Sequence, residues 1–119
     1  MKGKKILVYD DDVEILLLCK VILEKNGYTA VTKNRADDVV QEVVEESPDI
    51  ILMDLWIPEI GGEKAAQILK TTDGTKHIPL LLFSANADID IIAKNVGASG
   101  YIAKPFSIKD FLEKIQSFL

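Results

Sequence analysis

The chain has 119 residues, of which 48% are hydrophobic and 28% charged, a size and balance that suit one globular domain. Its net charge of −5 and pI near 4.8 argue against binding of nucleic acid without sequence preference, because such binding needs a basic face. The sequence holds one cysteine, Cys19, and no run of about 18 apolar residues, so we expect no internal disulfide, no membrane span and a cytoplasmic location.

Short apolar runs alternate with amphipathic segments along the whole chain, which predicts strands and helices in turn. The predicted strands are 6–9, 28–32, 50–53, 78–83 and 100–103; the predicted helices are 12–26, 36–46, 63–70, 88–96 and one that begins at Ser107. Five strands alternating with five helices require right-handed crossovers and a parallel sheet covered on both faces. The sequence therefore predicts one α/β doubly wound domain over residues 1–119.

The predicted helices carry apolar residues at the spacing of one buried face. In the first helix, Leu17 and Val21 lie roughly opposite that face, and they fit either an exposed partner surface or simple excess of apolar residues. The expected buried positions are Ile15, Leu18, Cys19 and Ile22 in the first helix, Val39, Val40, Val43 and Val44 in the second, and Ile108, Phe111, Leu112, Ile115 and Phe118 in the last.

Polar residues follow four of the predicted strands, at the point where each strand ends. Asp10 to Asp12 follow the first strand, Asp54 the third, Ser84 the fourth and Lys104 the fifth. A single aspartate at the end of one strand would be interpreted as a solvated loop residue. Because the carboxyl ends of parallel strands meet at one edge of a sheet, we expect all these side chains to lie together, where α/β sheets bind their ligands.

These motifs resemble the receiver domain of two-component response regulators. The resemblance rests on Asp10-Asp11, Asp54, Ser84-Ala85 and Lys104-Pro105-Phe106, which occur in the family's order. It implies a flavodoxin-like fold with strand order 2-1-3-4-5. Since no output domain follows Leu119, the resemblance is to a receiver that stands alone, like the chemotaxis receivers, or that was excised from a longer protein.

The resemblance assigns the phosphoryl chemistry to three residues. Asp54 would be the phosphoacceptor, attacking a phosphohistidine of a sensor histidine kinase or phosphotransfer protein, and a carboxylate can form such an acyl phosphate. Lys104 would pair with the carboxylate before transfer and with a phosphoryl oxygen afterwards, and Ser84 would donate a hydrogen bond to another oxygen. As an enzyme the domain would catalyse only its own phosphoryl transfer and a slow autodephosphorylation.

The resemblance also implies a Mg²⁺ site. Asp11, Asp54 and the backbone carbonyl of Trp56 would be ligands, and Asp10 would act through a water. Oxygen ligands of this kind are those that Mg²⁺ prefers. Asp12 is assigned to helix capping first and to the metal second.

The resemblance further implies a switch through Ser84 and Tyr101, the hydroxyl and aromatic pair that would pass phosphorylation to the face formed by the fourth helix, fifth strand and last helix. An output partner, not identified by the sequence, would bind there, and dimerisation on phosphorylation is left open. In the family that this chain resembles, the side chains two residues past the acceptor and two past the hydroxyl residue flank the path of the hydrolytic water. Here these are Trp56 and Asn86, and because the indole can cover the site, we predict a phosphorylated state that decays slowly.

Three alternatives are weaker. A haloacid-dehalogenase-type phosphatase usually has a second acid two residues after its nucleophile, where this chain has Trp56, and it needs a cap insertion that 119 residues do not provide. A flavodoxin-like mononucleotide binder would need a Ser/Thr/Gly-rich phosphate loop, and the aspartates after the first strand would repel phosphate. A degenerate receiver used only for docking is least favoured, because all the catalytic positions are filled.

Overall fold

The computed structural model describes residues 3–119, in which strands and helices alternate along the chain. The strands are β1 (Lys5–Tyr9), β2 (Thr29–Lys33), β3 (Ile50–Asp54), β4 (Leu80–Ser84) and β5 (Gly100–Ala103). The helices are α1 (Val13–Lys25), α2 (Val39–Glu46), α3 (Gly62–Thr71), α4 (Ile89–Val96) and α5 (Ile108–Gln116). The predicted alternation of elements is confirmed, with ends that differ by up to three residues.

The strands form one parallel sheet in the order β2-β1-β3-β4-β5. β3 lies at the centre and is buried at all five positions, as its unbroken apolar run requires of a strand covered on both faces. The doubly wound, flavodoxin-like fold predicted from the sequence is confirmed. Within residues 3–119, none of the helices combines the length and the apolar character needed to cross a membrane.

Two hydrophobic clusters fill the space between the sheet and its helices. The cluster on one face, here called the α1–α5 core, contains Leu16 and Cys19 of α1 and Phe111 and Ile115 of α5. The other cluster joins the sheet to α2, α3 and α4. Alternate strand residues belong to alternate clusters, because successive side chains of a strand point to opposite faces.

Side-chain caps set where several helices begin. The carboxylate of Asp12 accepts from the backbone N–H groups of Glu14 and Ile15, which confirms its predicted capping role. Asp38 caps α2 in the same way, so α2 starts at Val39 and not at residue 36 as predicted. Ser107 caps α5 as expected.

Three of the residues expected in the core are exposed: Leu18, Val44 and Ile108. α1 is apolar at every position from Ile15 to Cys19, so its sequence periodicity did not fix which face turns inward, and the buried face is rotated toward Leu16. Leu17 and Val21 are exposed, as predicted. Val44 lies beside the buried face of α2, which Val39 and Val43 form, and Ile108 is the first residue of α5, one turn before the buried Phe111.

Candidate functional site

The carboxyl ends of four neighbouring strands bring the predicted polar residues to one edge of the sheet. β3 lies between β1 and β4, and Asp54 is paired in register with Phe83 of β4. Ser84 is paired with Ala103, and the backbone N–H of Lys104 donates to the carbonyl of Ser84 at 2.9 Å. The sheet register therefore places Lys104 and Ser84 at the same edge as Asp54.

Three carboxylates form an acidic cluster at this edge. One oxygen from each of Asp10, Asp11 and Asp54 lies within 4.8 Å of the others. Asp10 is fully buried and Asp54 is 3% exposed, whereas Asp11 faces solvent. Clustered carboxylates repel one another unless a cation is close, and their oxygens are hard ligands suited to a small divalent ion. The donor set therefore fits Mg²⁺.

Lys104 supplies a positive charge to this cluster. Its Nζ pairs with Oδ2 of Asp10 and lies 3.7 Å from Oδ1 of Asp54. The Oδ1 of Asp10 accepts from the backbone N–H of Asp12 at 2.9 Å, so both oxygens of this buried carboxylate are engaged. Asp10 is thus the nearer partner of Lys104, a direct role beside the water-mediated one that the resemblance implied.

The backbone that follows Asp54 is held by the start of α3. The N–H of Gly62 donates to the carbonyl of Leu55 at 3.0 Å. A Cβ atom at Gly62 would lie 1.8 Å from the carbonyl oxygen of Asp54, a distance that no side chain can occupy. Gly62 therefore allows α3 to pack directly on the peptide of Asp54, and this contact helps to fix where the carboxylate lies.

Ser84 and Asn86 form the turn that leads from β4 into α4. Ser84 is buried, and its Oγ accepts from the backbone N–H of Asn86 at 3.1 Å. The Oδ1 of Asn86 accepts from the N–H of Asp88 at 2.8 Å. The amide oxygen of Asn86 therefore supports the turn before α4, while the hydroxyl hydrogen of Ser84 remains available as a donor.

Two aromatic residues singled out from the sequence lie at the surface. The indole of Trp56, two residues beyond Asp54, is 71% exposed. Tyr101 of β5 is 37% exposed, and Nζ of Lys114 lies 5.7 Å from its ring centroid. An indole this exposed extends into solvent, so shielding of Asp54 by Trp56 would require the side chain to turn inward.

The pKa of Asp54 is raised to about 6. Burial is the largest cause, since it disfavours the charged carboxylate, and the negative charge of Asp10 is the next. Lys104 acts in the opposite direction, while the hydrogen bond and charge of Asp11 add to the increase. In the absence of a metal ion, the positive charge of Lys104 alone is therefore insufficient to compensate the negative charges of these carboxylates.

We expect the metal-free protein to gain stability from Asp54 as the pH falls from about 7.5 to about 5. The pKa of about 6 in the folded chain exceeds the usual carboxyl value of 3.8, so folding favours the protonated form. This contribution is fully present below pH 3.8 and is lost as the pH rises through 6. Its size is at most about 3 kcal/mol.

Urea unfolding in EDTA across this pH range measures the effect, with Asp54→Asn as the control because an amide does not titrate. The free energy of unfolding of the wild type should fall relative to that of Asp54→Asn as the pH rises. Parallel pH profiles for the two proteins would contradict the raised pKa.

Comparison with known proteins agrees with this geometry. The family model described as the response regulator receiver domain matches residues 6–116. This chain belongs to the response regulator receiver family. Receiver domains exchange phosphoryl groups with histidine kinases or phosphotransfer proteins, and the acidic cluster around Asp54 is the part of this receiver that fits such chemistry.

Two curated relatives and one solved structure illustrate the similarity. The polar-differentiation response regulator DivK of Brucella anthropi is 30% identical over 119 residues, which cover 98% of this chain and 96% of DivK. The phosphate regulon transcriptional regulatory protein PhoB of Pseudomonas aeruginosa is 33% identical over 121 residues, and this receiver spans 53% of its length. The chemotaxis response regulator CheY4 of Vibrio cholerae has the same fold, with a TM-score of 0.83 at 24% identity over 99% of this chain and all of CheY4.

The sequence interpretation did not single out two residues that contact the site. Phe83 lies beside Asp54 in the sheet, and the Nζ of Lys104 is 4.5 Å from the centroid of its ring. Gly62 was not recognised as a contact to Asp54. The sequence held a signal for Phe83, because it is the last apolar residue of its strand before the sheet edge at Ser84, whereas nothing local to Gly62 reveals a contact made across the loop.

Proposed function

We propose that this receiver is a signalling switch in which Asp54 takes a phosphoryl group from the phosphohistidine of a sensor kinase or phosphotransfer protein. A carboxylate oxygen of Asp54 attacks phosphorus, a new O–P bond forms, and the P–N bond to histidine breaks. The observation that carries this proposal is the placement of Asp54, which is nearly buried among Asp10, Asp11 and Lys104 at the edge of the sheet.

Of the residues around Asp54, some would neutralise charge on the transferring group and others would orient it. Lys104 would neutralise an oxygen of the transferring group as a point charge. Ser84 would donate its hydroxyl to a second oxygen, since its lone pair already accepts from Asn86. Asp10 would hold Lys104 in place before transfer, as the ion pair between them indicates.

The proposed cofactor is Mg²⁺, held by Asp11, Asp54 and the backbone carbonyl of Trp56, with Asp10 nearby. The ion would supply the positive charge that offsets the carboxylates and the phosphoryl oxygens. The carboxylate donor set supports this assignment.

The proposed location of the protein is the cytoplasm. The single cysteine, Cys19, is a buried free thiol, which supports this location.

The proposed output surface is the face of α4, β5 and α5. Tyr101 would report the state of Ser84 to this face, on which Ile91 is 57% exposed. A two-state side chain biased by a phosphoryl group would suffice to change affinity for an output partner or for a second copy of the chain. Trp56 and Asn86 remain the proposed determinants of phosphoryl lifetime, although the amide oxygen of Asn86 is already used in the turn.

Incubation with Mg²⁺ and acetyl phosphate tests the proposal. We expect intact-mass measurement to show one added phosphoryl group on the wild type and none on Asp54→Asn, because an amide is a poor nucleophile. Asp49→Asn, which changes an exposed carboxylate at the opposite end of β3, is the matched control and should be phosphorylated normally. Phosphorylation of Asp54→Asn at the wild-type rate and position would overturn the proposal.

A further inference from the structure

Lys104 has to reach across the sheet to meet Asp10. Lys104 follows β5 at one edge, whereas Asp10 follows β1, and β4 and β3 lie between them. Three strand spacings amount to about 14 Å, more than a lysine side chain can span without leaning over the intervening strands. The residue of β4 below this path therefore decides what the lysine stem and its ammonium group rest on.

That residue is Phe83. Side chains two apart in a strand share a face, and the residues two before Asp10, Asp54 and Lys104 all belong to the α1–α5 core, as Phe83 does. These preceding residues are Val8, Leu52 and Ile102. The face that carries Asp10, Asp54 and Lys104 is thus the face of Phe83, which is also the register partner of Asp54.

The contact between Lys104 and Phe83 has the geometry of a cation–π interaction. The Nζ atom lies 4.5 Å from the ring centroid, well inside the range of about 6 Å over which a ring attracts a cation. The lysine side chain is only 18% exposed. Its ammonium group therefore has an aromatic face on one side and the carboxylates of Asp10 and Asp54 on the other.

The ring of Phe83 is itself fixed by two others. Phe106 lies 5.5 Å and Phe111 lies 6.1 Å from it between centroids, and these two rings stack on each other at 4.8 Å. Phe83 and Phe111 are fully buried. The plane that faces Lys104 is therefore set by packing, so the ring can act as a rigid support.

We propose that Phe83 is a positioning residue that holds the ammonium group of Lys104 over the phosphoryl site. This inference rests on the proposed function, because it concerns how Lys104 serves phosphoryl transfer to Asp54. Phe83 contributes a rigid aromatic surface that excludes water below the ammonium group and attracts its charge. Leucine at this position would fill much of the space but would offer no π face.

The test compares Phe83→Leu with Phe111→Leu. Both changes remove one ring from the same aromatic cluster, but only Phe83 has its ring under Lys104. We expect Phe83→Leu to slow Mg²⁺-dependent phosphorylation by acetyl phosphate about threefold to tenfold relative to Phe111→Leu. Urea unfolding of both variants provides the stability comparison, and rates are measured where each is fully folded.

A spectroscopic readout separates positioning from packing. In the wild type, the ring current of Phe83 should shift the ε-methylene proton resonances of Lys104 upfield. The shift should be lost in Phe83→Leu and kept in Phe111→Leu, because Phe106, the nearer of the two neighbouring rings, still packs on Phe83 at 5.5 Å in that variant. If the two variants have the same rate, or if the resonances of Lys104 do not respond to Phe83→Leu, the positioning role is refuted.

The result remains distinguishable from a failure of the proposed function. If wild-type protein takes no phosphoryl group from acetyl phosphate or from a phosphohistidine donor, the proposed function fails and the inference with it. If the wild type is phosphorylated on Asp54 and the two leucine variants behave alike, only the role of Phe83 fails.

Discussion

Replacing Gly62 with alanine should destabilise the fold by about 3 kcal/mol and slow phosphorylation of Asp54 by about tenfold or more. The added Cβ would meet the carbonyl oxygen of Asp54 at 1.8 Å and the Cα of Leu55 at 2.7 Å. Both are backbone atoms, so the clash can be relieved only by moving α3 or the loop after β3. Either movement would displace the carboxylate that the site is built around.

Two other glycines serve as matched controls for Gly62→Ala. Gly74 has open space around its missing Cβ, so Gly74→Ala should have little effect. Gly61 also has open space but combines a φ of +84° with a ψ of 144°, a backbone conformation that few residues other than glycine adopt, so Gly61→Ala should cost about 1 to 3 kcal/mol through backbone strain alone. Chemical unfolding and acetyl phosphate labelling of the three variants would refute the contact with Asp54 if Gly62→Ala were no more damaging than Gly74→Ala.

The order of elements could be predicted from the sequence because each strand is a short apolar run with turn formers around it. β3 is the clearest case, since residues 50–53 are all apolar and fully buried. The rotation of α1 could not be predicted. Its residues from Ile15 to Cys19 are apolar on all sides, so only packing against the sheet decides that Leu16 is buried and Leu18 is exposed.

The sequence was sufficient to predict which residues form the site, because the ends of the strands in a parallel sheet lie along one edge. Asp10, Asp54, Ser84 and Lys104 lie at that edge, as expected. Which groups contact each other within the site was harder to predict. Lys104 lies nearer to Asp10 than to Asp54, and this depends on the path of its side chain over Phe83. Gly62 contacts the Asp54 peptide, and this depends on how α3 approaches the end of β3.

The charges of the site indicate what the loss of its cation, Lys104, would do to stability. Asp10 and Asp54 are buried carboxylates, and Lys104 is the lysine that pairs with both. Even with this cation in place, the pKa of Asp54 is about 6. Removing one member of a buried charge pair is far more costly than replacing both, because the remaining charge is left uncompensated.

We therefore expect Lys104→Met to lower the free energy of unfolding at about pH 7.5 in EDTA by about 3 kcal/mol. Methionine keeps the apolar stem above Phe83 but removes the charge. The loss should shrink as the pH falls toward about 5, because protonation of the carboxylates replaces the missing cation, and Mg²⁺ should restore part of the lost stability at the higher pH. Urea unfolding with EDTA or with Mg²⁺ at the two pH values measures all three effects.

The matched control for Lys104→Met is Lys109→Met, which removes the same charge from an exposed position of α5. This control should change stability by less than about 0.5 kcal/mol and should show the wild-type response to Mg²⁺. A larger Mg²⁺-induced rise in melting temperature for Lys104→Met than for Lys109→Met would locate the ion and the lysine at the same carboxylates. Equal losses and equal Mg²⁺ responses in the two variants would mean that the acidic cluster does not depend on Lys104 for its compensation.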